Sequence, residues 1–142
     1  MLSDSASTRP LAVRLGLKPG MRALLLDAPP GYVAALGAVA AQVEFCAEGS
    51  KRLDFIQFFA TERAALADRL PQLVAALDQR GALWLCWPRR TSRTGQAAAP
   101  GDLGERDVRE AGLAAGLVDV KIVSVDPVWS GLKFVYRLRD RG

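Results

Sequence analysis

At 142 residues, half of them apolar, with a formal net charge of +4, the chain has the size of one ordinary domain and too much apolar surface for a disordered one. It contains no histidine, which excludes Ser-His-Asp and Cys-His catalysis and nearly every catalytic zinc site; acid–base chemistry is left to carboxylates, Lys, Tyr or Cys. No stretch approaches the roughly 20 apolar residues of a membrane span, so no membrane partner is expected, and the modest positive charge permits an anionic partner without requiring one.

Residues 1–8 are polar and small, without the apolar or Arg-rich character of a targeting segment. They read as a flexible tail before one domain spanning 9–142, and a cytoplasmic location is expected. Arg9 to Leu17 reads as a short docked helix ending in the turn Lys18-Pro19-Gly20. Met21 to Leu26 is a continuous apolar run closed by Asp27-Ala28-Pro29-Pro30-Gly31, the pattern of a strand buried on both faces. A brief helix over 32–36, a second strand over 42–46 and an aromatic third strand over 54–59 follow.

Thr61 is the expected N-cap of a helix carrying Leu66, Leu70, Leu73 and Leu77, which Pro71 should kink or split and Gly81 should terminate. Ala82 to Trp87 is the fourth strand. Cys46 and Cys86 each lie in an apolar run and read as free thiols. After a polar stretch with Arg89, Arg90 and Arg93, Asp102 and Glu105 have capping-box spacing at the start of a helix to about Ala115. Its small residues Ala111, Gly112 and Ala115 would let it approach the sheet closely. A fifth strand over 117–125, the turn 126–131 and a sixth strand over 132–138 complete the series.

Alternating strands and helices imply right-handed crossovers and a parallel sheet, whereas the last connection is too short to cross over. The fold expected is α/β: a Rossmann-like three-layer sandwich whose mostly parallel sheet of about six strands ends with an antiparallel strand. In the sixth strand Leu132, Phe134, Tyr136 and Leu138 alternate with Lys133, Val135, Arg137 and Arg139. Strands one, three and four, uniformly apolar, belong at the centre.

Ligands of open α/β sheets bind at the carboxyl ends of the parallel strands. That edge collects Asp27 and Gly31 from the first strand and Trp87, Arg89 and Arg90 from the fourth. The last hairpin adds Asp126, Trp129, Ser130 and Lys133. These are candidates for a cleft holding a small anionic ligand, with Lys133 expected to point into it or to pair with Asp27 or Asp126. The plainer alternatives stay open: turn capping by the aspartates, core packing by the tryptophans and solvation of the basic side chains. Three arginines without interleaved aromatics make a poor nucleic-acid platform, so no specific nucleic-acid partner is expected. Self-association, including a homodimer, is left open.

The layout resembles the S-adenosylmethionine-dependent methyltransferase fold, which also finishes with a reversed strand after a short hairpin. Asp27 and Gly31 match positions of that family's first motif, and Glu48 stands where such folds place a ribose-binding acid. The resemblance implies cofactor-binding roles for Asp27, Gly31 and Glu48. However, Pro29 and Pro30 remove backbone donors that would hold a cofactor, and one strand–helix unit is missing. A second resemblance rests on Leu15-Gly16-Leu17-Lys18-Pro19-Gly20-Met21, Gly81-Ala82-Leu83-Trp84, Trp87-Pro88-Arg89-Arg90, Gly116-Leu117-Val118-Asp119-Val120-Lys121 and Trp129-Ser130-Gly131-Leu132-Lys133-Phe134. These strings resemble a bacterial family, domain-of-unknown-function family 3052, which implies a bacterial cytoplasmic domain and carries no assigned reaction.

The reading that follows is a binding or regulatory domain on a degenerate methyltransferase-like fold, with no cofactor expected. A divergent S-adenosylmethionine-dependent methyltransferase and a protein-interaction or self-association module are the alternatives.

Overall fold

The computed structural model describes residues 9–89 and 101–141, so the tail 1–8 and the basic residues Arg90 and Arg93 lie outside the described residues. In chain order the elements are α1 (Leu11–Leu15), β1 (Arg22–Leu26), α2 (Tyr32–Ala35), a 3-10 turn (Ala38–Gln42), β2 (Glu44–Phe45), β3 (Leu53–Phe59), α3 (Arg63–Ala76), β4 (Leu77–Pro88), α4 (Glu105–Ala114), β5 (Leu117–Ser124), β6 (Trp129–Tyr136) and a 3-10 turn (Leu138–Asp140). One six-stranded sheet runs in the order β2-β1-β3-β4-β6-β5. The first four strands are mutually parallel, and β6 is antiparallel to both β4 and β5. The mixed, mostly parallel α/β sheet expected from the sequence is therefore present.

Side-chain alternation divides the core. On one face Phe55, Phe59, Trp84 and Cys86 pack with Leu15, Leu17, Tyr32 and Leu36 from the amino-terminal elements. On the other, Ile56, Phe58, Leu83, Leu85, Leu132 and Phe134 meet Leu66, Leu70 and Leu73 of α3 and Val108 of α4. A Cβ added at Gly112 would lie 2.0 Å from Phe134 Cε1, so α4 rests against the sheet as closely as its small residues allow. Both cysteines are free thiols. Burial, followed by the charge of Asp126, pushes the Cys86 thiol up to about 12, although its hydrogen bond with Gln57 opposes the shift.

Several local expectations are corrected. The N-cap of α3 is Glu62 rather than Thr61, and Asp102 Oδ1 accepts the Arg63 N–H at 2.7 Å. Asp102 thus serves α3, while α4 is capped at Gly104, whose N–H donates to Asp107 Oδ2 at 3.1 Å. The capping pattern read at 102 and 105 was real chemistry shifted by two residues, because the segment before α4 docks on the start of α3: Thr61 O accepts the N–H groups of Asp102 and Leu103. Pro71 does not split its helix. It is exposed, as is Ala67, so the carbonyl freed by the ring faces water.

Gly81 ends no helix. It lies inside β4, and a Cβ there would come within 2.7 Å of Leu53 O. The pairing jumps from Leu53↔Leu77 to Phe55↔Ala82, so residues 78–81 are extruded opposite one residue of β3. Only glycine allows the two backbones to close again directly after such a bulge. The second strand shrinks to two residues, and Leu138 leaves β6 for the final 3-10 turn, where it is 80% exposed.

Asp102 carries a pH prediction. Its carboxyl is held below the ordinary range chiefly by the Arg63 backbone N–H, with the Arg63 guanidinium adding to it. A depressed folded value means the stabilisation is complete above the ordinary aspartate pKa of about 4 and is lost as pH falls through the lower folded value. Asp102→Asn should lower the melting temperature at pH 7 and flatten its decline as pH falls below the ordinary aspartate range. Identical acid limbs for the two proteins would contradict the assignment.

Candidate functional site

Asp27 directly follows β1 and has a left-handed backbone, φ 57°, a conformation that aspartate tolerates better than most residues. Its side chain is exposed and makes no hydrogen bond or ion pair among the described residues. Gly31 has φ 78° and precedes α2, a helix of 4 residues. No atom lies within 4 Å of an added Cβ at Gly31, so the dihedral rather than crowding asks for glycine there. In this turn Pro29 O already accepts the Tyr32 N–H at 3.1 Å.

The connection between β2 and β3 contains no helix, and one face of β1 is left partly open. A cleft of about 290 Å³ lies there, floored by Leu24, Leu26, Leu73 and Ala76 and edged by Glu48, Lys51 and Arg69. Glu48 Oε1 accepts a hydrogen bond from Arg69 Nη1 within an ion pair. That hydrogen bond holds Arg69 above the ordinary arginine range, with the nearby charge of Asp27 adding a smaller contribution. The two candidate carboxylates, separate in sequence, thus share the field of one guanidinium. Arg69 was not among the sequence candidates. It borders the apolar stripe of α3, and nothing in the spacing indicates that it reaches a loop 21 residues earlier.

The other candidates divide. Trp87 is buried, packed with the α3 and α4 side of the core, whereas Trp129 packs on the opposite face with its ring centroid 5.1 Å from that of Phe59. The two indoles do not wall one cleft. Arg89 Nη1 donates to Asp126 O at 2.6 Å, and its Nη2 donates to Ser124 Oγ. Asp126 Oδ1 accepts the N–H groups of Val128 and Trp129, both at 2.7 Å, which fixes the hairpin turn. Ser130 lies opposite Trp87 in β6. Arg90 lies outside the described residues.

Lys133 does not reach Asp27 or Asp126. It is paired with Trp84 and Lys121 in mid-sheet, and its Nζ lies 3.8 Å from where a Gly16 Cβ would be. Burial lowers its pKa, and the neighbouring charges of Lys121 and Lys18 act in the same direction. The reason is registry: six residues past the turn at Pro127, β6 has already carried this side chain beneath the end of α1.

A buried polar chain crosses the first core face. Tyr32 Oη donates to Gln57 Oε1 at 2.8 Å, and Gln57 Nε2 lies 3.4 Å from Cys86 Sγ. Burial raises the Tyr32 pKa well above its ordinary value, so this network is a neutral packing device at physiological pH. Among the described residues no group of three or more Cys, Asp or Glu is placed to hold a metal ion, and no helix is long and apolar enough to cross a membrane.

No family model matches the chain, and no curated protein matches it in sequence. Similarity appears among solved structures. A SAM-dependent methyltransferase from Aquifex aeolicus aligns with TM-score 0.59 and 16% identity over 89% of this chain and 93% of its own. Magnesium protoporphyrin IX methyltransferase from Synechocystis PCC 6803, with bound SAH, gives 0.56 and 13% over 84% and 75%. A TehB-like SAM-dependent methyltransferase from Corynebacterium glutamicum gives 0.52 and 11% over 92% and 89%. At these identities the likeness establishes a methyltransferase-like Rossmann fold, and fold alone does not assign chemistry.

Proposed function

We propose that this chain is a binding or regulatory domain on a methyltransferase-like fold whose cofactor position has been closed, and that its ligand is a small anion-bearing molecule rather than S-adenosylmethionine. The observation that carries this reading is Arg69, held by Glu48 in an ion pair at the rim of the cleft over β1, with the charge of Asp27 contributing to its field. In the sequence resemblance those carboxylates would have faced a ribose and the motif's glycine turn. Here one of them already neutralises a cation of the protein.

The remaining geometry agrees. The cleft of about 290 Å³ lies at the floor of the range of roughly 300–1,000 Å³ that small-molecule sites occupy. The turn after β1 has proline at 29 and 30, and the 4-residue α2 that follows is too short to present a row of free N–H groups. The residues present therefore do not fit that cofactor. The apolar floor and the cation Lys51 at its rim instead suit an apolar body with an acidic group.

Calorimetric titration tests this. S-adenosylmethionine and S-adenosylhomocysteine should give no binding tighter than about 1 mM. Micromolar binding abolished by Asp27→Ala would overturn the reading in favour of the second one, a divergent S-adenosylmethionine-dependent methyltransferase. That alternative is favoured by a specific observation: the Asp27 side chain is exposed and makes no direct bond among the described residues. Arg69→Ala is the informative variant in either case. It opens the ion pair, so weak cofactor binding gained only in this variant supports closure as the cause.

A further inference from the structure

The opposite edge of the sheet, at the amino ends of the parallel strands, is built in a way the fold does not require. Two irregular segments face each other there. One is the turn before β3, where Arg52 has φ 56°, a left-handed conformation that residues other than glycine, asparagine and aspartate rarely adopt. Arg22 fixes this turn: its Nη1 donates to Lys51 O and to Arg52 O, and its Nε pairs with Glu44 at 3.6 Å. The other is the bulge 78–81, closed by the glycine approach at Gly81 and by the Asp78 carboxylate, which accepts the Arg80 N–H at 2.9 Å.

Between them lies a cavity of about 510 Å³ lined by Lys51, Arg52, Asp78, Gln79 and Arg80, with Ala75 and Leu77. It continues into a second of about 460 Å³ that shares Gln79 and Arg80 and is bordered by Arg141. Among the described residues the side chains of Lys51, Arg52 and Arg80 make no hydrogen bond or ion pair. The one carboxylate in the first cavity, Asp78, already accepts a backbone donor. Three free cations, then Arg141, follow the sheet edge from β3 across β4 to the end of β6. Strands lie about 4.8 Å apart, so the row suits a string of anionic groups better than a single ion.

We propose that this amino edge is a sequence-independent binding surface for a run of phosphate groups, with Lys51, Arg52 and Arg80 as its contacts. Guanidinium forks match phosphate oxygens in pairs. Neither cavity has an aromatic side chain on which a base could stack, so phosphates rather than bases are recognised. The source is a single-stranded nucleic acid or a linear polyphosphate, which present the same chemistry. The proposal goes beyond the ligand cleft at β1. Lys51 borders both places, but Arg52 and Arg80 touch only this one.

Fluorescence anisotropy of a labelled oligothymidylate 12-mer, titrated with the full chain, measures the surface, with tripolyphosphate as the second ligand. At roughly 0.7 per single-strand phosphate contact, three contacts predict a slope of about −2 for log affinity against log salt. The combined variant Lys51→Gln, Arg52→Asn, Arg80→Gln should bind at least tenfold more weakly and flatten that slope, with Asn chosen because it accepts the left-handed backbone. Arg106→Gln, on the outer face of α4, should change neither. Binding of the oligonucleotide with only millimolar competition by tripolyphosphate identifies the strand as ligand; the reverse order identifies the polyphosphate. Binding to neither, a slope unchanged in the combined variant, or equal competition by polyglutamate would overturn the proposal. Arg80→Gln alone, which leaves the backbone contacts of the bulge in place, should remove about one third of the slope.

Discussion

Replacing Gly112 by alanine should destabilise the protein by about 2–3 kcal/mol, against the ordinary preference of a helix interior. On an exposed helix that substitution stabilises by up to about 1 kcal/mol. Here the new Cβ would sit 2.0, 2.3 and 2.5 Å from Cε1, Cζ and Cδ1 of Phe134, a ring that is fully buried. Something must move, and close packing on both sides leaves the ring little room. Urea unfolding of Gly112→Ala, Phe134→Leu and the double variant measures the effect. The double variant should be more stable than additivity predicts, with a coupling of about 1–3 kcal/mol. A more stable Gly112→Ala protein would mean that α4 does not lie this close to β6.

Trp84→Ala should be the costliest single substitution in the sheet, at about 3–5 kcal/mol, a large share of the 5–15 kcal/mol typical of a whole domain. The side chain is fully buried in the centre of β4, and its Nε1 donates to Leu15 O at 3.0 Å. That carbonyl belongs to the last turn of α1, which Gly16 ends in a left-handed conformation with Leu17 N bonded to Ala12 O at 2.9 Å. Alanine therefore opens a cavity and also leaves a helix carbonyl without its partner. Trp84→Phe separates the two effects. It keeps most of the apolar volume and should cost about 1–2 kcal/mol, with α1 fraying first in hydrogen exchange. A loss equal to that of Trp84→Ala would argue that the indole N–H carries most of the effect.

The six strands and the parallel-then-reversed logic were legible in the sequence because they rest on continuous apolar runs and connection lengths, both local quantities, whereas β4 starts at Leu77 and β6 at Trp129, inside segments read as helix and turn. What failed was local chemistry redirected by a distant partner. Asp102 had the right residue type for a cap but serves α3 because its segment docks at Thr61. Gly81 looked like a helix terminator, yet its reason is the backbone of Leu53 and Asp54, which no window around 81 contains. The site was harder still. Asp27 and Glu48 were readable as carboxylates at strand ends, but Arg69 was not, since its meaning arises only when α3 lies over β1. Lys133 was misplaced towards the cleft for the opposite reason. Its position after a hairpin was clear, while the offset of β6 against β4 was not.

The placement of β6 between β4 and β5 has a consequence for how the chain reaches this state. Strands consecutive in sequence are usually neighbours in the sheet, but here β6 is inserted between β4 and β5, so β4 and β5 do not pair. Until residues 129–136 arrive, β4 presents an unpaired flank and β5 has no strand to pair with. The amino-terminal half, β1 to β4 with α1 and α3, can assemble as a parallel unit before that. β5 joins the sheet only through β6, so the hairpin of β5 and β6 is held to β4 by the antiparallel pairs from Leu83↔Phe134 to Pro88↔Trp129. Non-local pairing of this kind slows folding in general, and a flank of β4 left unpaired before the hairpin docks is an interior counterpart of an exposed sheet edge.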